Sequence, residues 1–84
     1  MYENIIKEYI SKLTEKDIKK YCGKKDIKVN DDEVKILYLY AKNYWKEFYK
    51  GNPIEYINEL KESINTDAFN KLEKIYNNLS KKIR

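Results

Sequence analysis

Apolar positions recur along this chain at helical spacing in successive stretches, and the longest runs from Asn30 to Gly51, NDDEVKILYLYAKNYWKEFYKG. Wound as a helix, Tyr44, Leu37, Phe48, Ala41, Val34, Trp45, Tyr38 and Tyr49 fall within an arc of roughly 140°, the width of a core-facing stripe. Lys35, Lys42, Asn43, Lys46 and Lys50 lie opposite. The stretch carries its own punctuation. Asn30 is an N-cap, Glu33 completes a capping box, and Val29 with Val34 occupies the two positions of a hydrophobic staple. Gly51 fits a left-handed position after the helix, and Pro53 closes the exit.

The same grammar repeats on either side. Tyr2, Ile5, Ile6, Tyr9, Ile10 and Leu13 keep one face of a helix apolar. Thr14 caps a second, shorter helix with Asp17 three residues on, Leu13 and Ile18 form a staple across the junction, and Gly23 is expected to end it. Ile18, Tyr21 and Cys22 are its inward side. Lys24 to Val29 alternates, with Ile27 and Val29 inward, and suits an extended connector since no partner strand exists elsewhere. Asn52, Pro53 and Glu55 then start a fourth helix as N-cap, N1 and N3, with Ile54, Ile57, Leu60 and Ile64 on its apolar side. Asn65 caps a fifth, stapled by Ile64 and Phe69, whose stripe runs Phe69, Leu72, Tyr76, Leu79, Ile83. Lys81, Lys82 and Arg84 suit its C-terminus, where the helix dipole favours cations.

The chain is therefore predicted to be one all-α domain over 1–84, a compact bundle of five helices at about 2–13, 15–22, 31–50, 53–64 and 66–82, wrapped around a long central third helix. The predicted core is Ile6, Ile10, Leu13, Ile18, Leu37, Ala41, Trp45, Phe48, Ile57, Leu60, Leu72 and Leu79. Ile36, Leu39 and Tyr40 fall outside the stripe, among the lysines. They are either covered by other helices or present a protein-binding face with Tyr40 as its anchor.

Composition changes this picture in two places. A net charge of +4 and a pI near 9.0 invite a nucleic-acid partner. Yet Lys, Asn, Ile and Tyr make up 46 of the 84 residues against a single Arg, the bias that AT-rich coding imposes on any protein. Cys22 is alone, which excludes an internal disulfide and points to a reducing, cytoplasmic setting, and no apolar run has the length of a membrane span.

Chemistry is sparse. The absence of His removes the usual general base, the usual zinc ligand and every Ser-His or Cys-His pair, so no enzymatic activity is expected. Gly23 and Gly51 are isolated, so no phosphate-cradling loop forms. Asp31, Asp32 and Glu33 are explained as first-turn acids that complement a helix dipole, and Cys22 as a small buried hydrophobe. No cofactor, metal or small-molecule substrate is expected. Lys19, Lys20, Lys24, Lys25 and Lys28 form the densest basic run, a solvated face or, alternatively, a set of phosphate contacts.

The order LTEKDIKKY, DIKVNDDE, an apolar helix, a short acidic helix and DAFNKLEKIYNNLSKKI resembles the YqfT-like family of small uncharacterised Firmicutes proteins across nearly the whole chain. The resemblance implies a small, bacterial, cytoplasmic helical protein and carries over no site residues. The functional expectation is a non-enzymatic protein-interaction module, a homodimer or a small adaptor. The alternative is a nucleic-acid-binding accessory protein that uses the basic run around the second helix.

Overall fold

The computed structural model describes residues 2–83, the side chains of Ser80, Lys82 and Ile83 excepted, so the expectations for those side chains and for Arg84 lie outside the described residues. Five helices follow in order: α1 (Tyr2–Lys12), α2 (Glu15–Lys24), α3 (Asp31–Tyr49), α4 (Ile54–Ser63) and α5 (Thr66–Ile83). The domain is all-α, and among the described residues no helix is long and apolar enough to cross a membrane.

Local capping chemistry sets the helix starts. Asn30 accepts from the Glu33 amide at 2.8 Å while the Glu33 carboxylate accepts from the Asn30 amide at 2.9 Å. Thr14 and Asp17 make the same reciprocal pair at 3.2 and 3.0 Å. Asn65 accepts from the Ala68 amide at 2.8 Å and so caps α5. Each satisfies amides that a first turn leaves without partners. The staples close as well: Val34, Ile64 and Phe69 are buried, and Val29 packs against the core.

Three helix boundaries differ from expectation. Gly23 does not stop α2, which runs on to Lys24; the left-handed residue is Asp26 (φ 57°), a residue type that tolerates this region better than most. Lys71 of α5 donates to the Asp26 carbonyl at 2.8 Å and holds that turn. Gly51 has no positive φ either; it is needed because a Cβ there would lie 2.7 Å from Glu47 Oε2 and 2.9 Å from Glu47 Cα. The N-cap of α4 is Pro53, not Asn52, with no side-chain cap; Asn52 instead accepts from the Ile54 amide at 3.3 Å. α3 is also not straight. Tyr44 has non-helical dihedrals, at the place where its ring stacks on Tyr56 of α4 with centroids 4.2 Å apart.

Long-range contacts give the helix directions. Lys50 pairs with Glu3 at 2.5 Å, and Lys42 donates to the Ile10 and Ser11 carbonyls at 2.6 and 3.1 Å, so α1 runs antiparallel to α3 with a cation on its C-terminal carbonyls. Tyr44–Tyr56 and Tyr40–Glu59 make α4 antiparallel to α3 as well. Asn65 meets Glu33 and Tyr76 meets Phe48, so α5 runs parallel to α3. The Tyr76 hydroxyl donates to the Phe48 carbonyl at 2.7 Å, which satisfies one of the carbonyls left over in the last turn of α3.

The packed core is not the predicted one. Leu13, Cys22, Ile27, Val34, Ile64, Ala68 and Phe69 are the buried hydrophobic side chains, most of them clustered where α2, the connector, the start of α3 and the α4–α5 junction meet. Of the predicted core only Leu13 is buried. Ile6, Ile10, Ile18, Leu37, Ala41, Trp45, Phe48, Ile57, Leu60 and Leu72 are half-buried, and Leu79 is exposed. The bundle is tight at one end and opens toward the other.

Candidate functional site

The reason those side chains remain half-buried is a cleft of about 510 Å³ along the middle of the molecule. Leu37, Ala41, Trp45 and Phe48, spaced at 4, 4 and 3 along α3, line it. Ile6, Tyr9 and Ile10 of α1, Leu13 of the α1–α2 junction and Ile18, Tyr21 and Cys22 of α2 contribute from one side of the sequence; Ile57 and Leu60 of α4, Ile64 of the α4–α5 junction and Phe69, Leu72, Ile75, Tyr76 and Leu79 of α5 contribute from the other. An apolar stripe on α3 that is flanked by two helical hairpins but not closed over by either leaves this opening. Its volume is within the range of about 300–1,000 Å³ typical of ligand sites.

The polar groups of the lining are few. Among the described residues, Asp17 and Glu73 are the only charged ones in it, and neither makes an ion pair. Tyr9, Tyr21, Tyr40, Tyr49 and Tyr76 place amphipathic rings in the lining, and Tyr9, Tyr21 and Leu79 are exposed. A smaller depression beside the cleft is bordered by Tyr9, Asp17, Lys20, Tyr21 and Lys24, which puts both signs of charge on this edge.

The walls are held by specific contacts. At the tight end the Glu33 carboxylate accepts from the Asn30 and Asn65 amides and from the Asn65 side-chain amide, which also donates to the Lys28 carbonyl at 2.9 Å. The Asn30 amide, with the Asn65 groups adding to it, holds the Glu33 carboxyl below its ordinary range. At the open end an aromatic series, Tyr40–Tyr44–Tyr56–Phe48–Tyr76, joins α3, α4 and α5, with successive ring centroids 4.2 to 6.4 Å apart. Such pairs add roughly 0.5–1.5 kcal/mol each beyond their buried area.

Against this geometry, Ile36, Leu39 and Tyr40 do not share one exposed face. Ile36 is half-buried against the core and Leu39 is 52% exposed. Tyr40 is half-buried in the aromatic series and donates to Glu59 at 2.6 Å, a bond that, with the carboxylate's charge, pushes its pKa up to about 12. Lys19 pairs with Asp31 at 2.7 Å and Lys25 sits 5.9 Å over the Tyr21 ring, while Lys20, Lys24 and Lys28 are exposed. Burial pushes the Cys22 thiol up, away from the thiolate that reactive cysteines need. Sequence reasoning named most of the lining residues and missed that they line an opening; the stripe of α3 is real, but the helix that would close it is absent.

The accessible surface is large for the mass. A folded monomer of 10.2 kDa is expected to expose about 5,300 Å². This chain exposes 6345 Å², an excess of about 1,000 Å².

Comparison with protein-family models, with curated proteins and with solved structures found no match to the chain.

Proposed function

We propose that this chain is a non-enzymatic protein-interaction module whose working surface is the cleft between its two helical hairpins. The observation that carries the reading is the cleft itself: an opening of about 510 Å³, lined by side chains of all five helices with Trp45 among them and, among the described residues, Asp17 and Glu73 as its only charges. Hydrocarbon and tyrosine lining in an open groove matches helix-in-groove recognition, where an amphipathic helix inserts apolar anchors at i, i+3, i+4 and i+7. The sequence offers no His for proton transfer, and its one thiol is buried. The setting we propose with it is the bacterial cytoplasm, which the lone Cys22 and the resemblance to YqfT-like proteins favour.

The test uses Trp45, the only Trp, as reporter. A synthetic amphipathic helix with Leu at anchor spacing is titrated into the protein, beside a scrambled peptide of the same composition. A saturable change in Trp45 emission and a rise in melting temperature with the first peptide alone are expected. No response to any apolar-faced helix at millimolar concentration would remove the cleft as an interaction surface.

A further inference from the structure

We propose that the occupant of the cleft is a second copy of this chain, through a two-fold interface in which the outer edge of α1 from each copy lies along the cleft of the other. The proposal rests on the interaction reading above and names its partner.

Two observations carry it. The first is a ridge. Tyr2, Ile5 and Tyr9 are 59%, 65% and 63% exposed and stand at i, i+3 and i+7 on one edge of α1, a helix with no buried residue among those described. That is the anchor pattern a helix-binding groove takes, and Tyr9 belongs to the cleft lining as well, so ridge and groove share a border. A two-fold interface requires one patch to be complementary to itself. A helical ridge beside an apolar groove meets that requirement, because rotation sets each ridge against the other copy's groove.

The second observation is charge. Lys20 and Lys24 stand with Asp17 beside Tyr9 and Tyr21, and Glu73 lines the cleft from α5. An edge with both signs can pair with its own rotated copy. A foreign partner selected by charge would favour an edge of one sign.

The experiment is sedimentation velocity on the native chain from about 1 μM to 1 mM, a span that covers weak to firm association. Mass rising to twice 10.2 kDa is expected. The double variant Ile5→Lys with Tyr9→Lys changes only exposed positions, so helix content by circular dichroism should be kept while the mass stays at one chain. Leu79→Lys, half-exposed in the cleft lining on α5, should do the same and serves as the second variant. A native chain monomeric throughout, or a dimer unaffected by either variant, overturns the proposal. If the native chain is monomeric yet Trp45 still responds to apolar-faced helices, the second copy is wrong and the interaction module stands; monomeric and unresponsive, both fall.

Discussion

Replacing Glu33 by Gln keeps the shape of the side chain and removes its charge, at a point where one carboxylate serves the starts of two helices. Oε1 accepts from the Asn30 amide at 2.9 Å and Oε2 from the Asn65 amide at 2.6 Å, with the Asn65 side-chain amide at 3.3 and 3.2 Å. Gln has one oxygen. In either orientation its NH₂ faces a backbone N–H that needs an acceptor, so one charge-assisted bond is lost and one donor is left opposed. Hydrogen bonds to charged groups contribute about 1.5–3 kcal/mol, and partial solvent access at Glu33 favours the lower part, a loss of about 1–2 kcal/mol. In a domain of this size that lowers the melting temperature by roughly 5–15 °C.

The same substitution has a pH signature. The Asn30 amide, then those of Asn65, hold the folded-state pKa of Glu33 below its unfolded value. A group depressed in this way contributes stability that is present above the unfolded pKa and lost as pH falls through the folded one. The gap between native chain and Glu33→Gln, measured by urea unfolding followed by circular dichroism, should be full at pH 7 and shrink below about pH 4, where a protonated Glu33 becomes nearly isosteric with Gln. Equal stability at pH 7, or a gap unchanged in acid, would refute the double-capping role.

The two glycines should respond oppositely to Ala: Gly23→Ala, with nothing within 4 Å of the new Cβ, stabilises by about 0.5–1 kcal/mol, whereas Gly51→Ala destabilises because its Cβ meets Glu47 Oε2 at 2.7 Å and Cα at 2.9 Å. Thermal melts of both variants check the signs. Phe69→Ala, in the tight end, should cost about 3–5 kcal/mol, a large part of the whole stability, while Leu37→Ala, half-buried in the cleft lining, should fall at or below the low end of the 2–5 kcal/mol range for buried Leu. Equal losses would mean that the core does not sit at one end. In gel-shift assays at about 50 mM salt no oligonucleotide should be retarded; retardation that falls steeply with added salt would restore the lysine run as a phosphate-binding surface.

Helix order and starts were legible because capping is local. Asn30 with Glu33, Thr14 with Asp17, and Asn65 each announce a first turn within four residues of sequence, and each makes the bonds that its spacing implies. Periodicity identified the apolar face of α3 just as well. What it does not encode is whether another helix closes over that face. This depends on distances set by contacts far apart in sequence, Asn65 on Glu33, Tyr76 on Phe48 and Lys42 on the end of α1, which place the flanking helices beside α3 and not across it. Tyr40 shows the converse: grouped with lysines by helical angle, it is drawn into the domain by Tyr44, Tyr56 and Glu59, two of them on α4. The kink at Tyr44 has no proline or glycine to announce it.

Ala41 offers the most direct test, because it is a small residue in the lining of the cleft. Ala41→Phe, melted at low micromolar concentration so that association does not intervene, adds a ring where a packed core has no room and an open cleft does. The open cleft predicts a loss no larger than the difference in helix propensity, below about 0.7 kcal/mol, or a gain. A loss of about 1–3 kcal/mol, the usual cost of overfilling a packed interior, would contradict it.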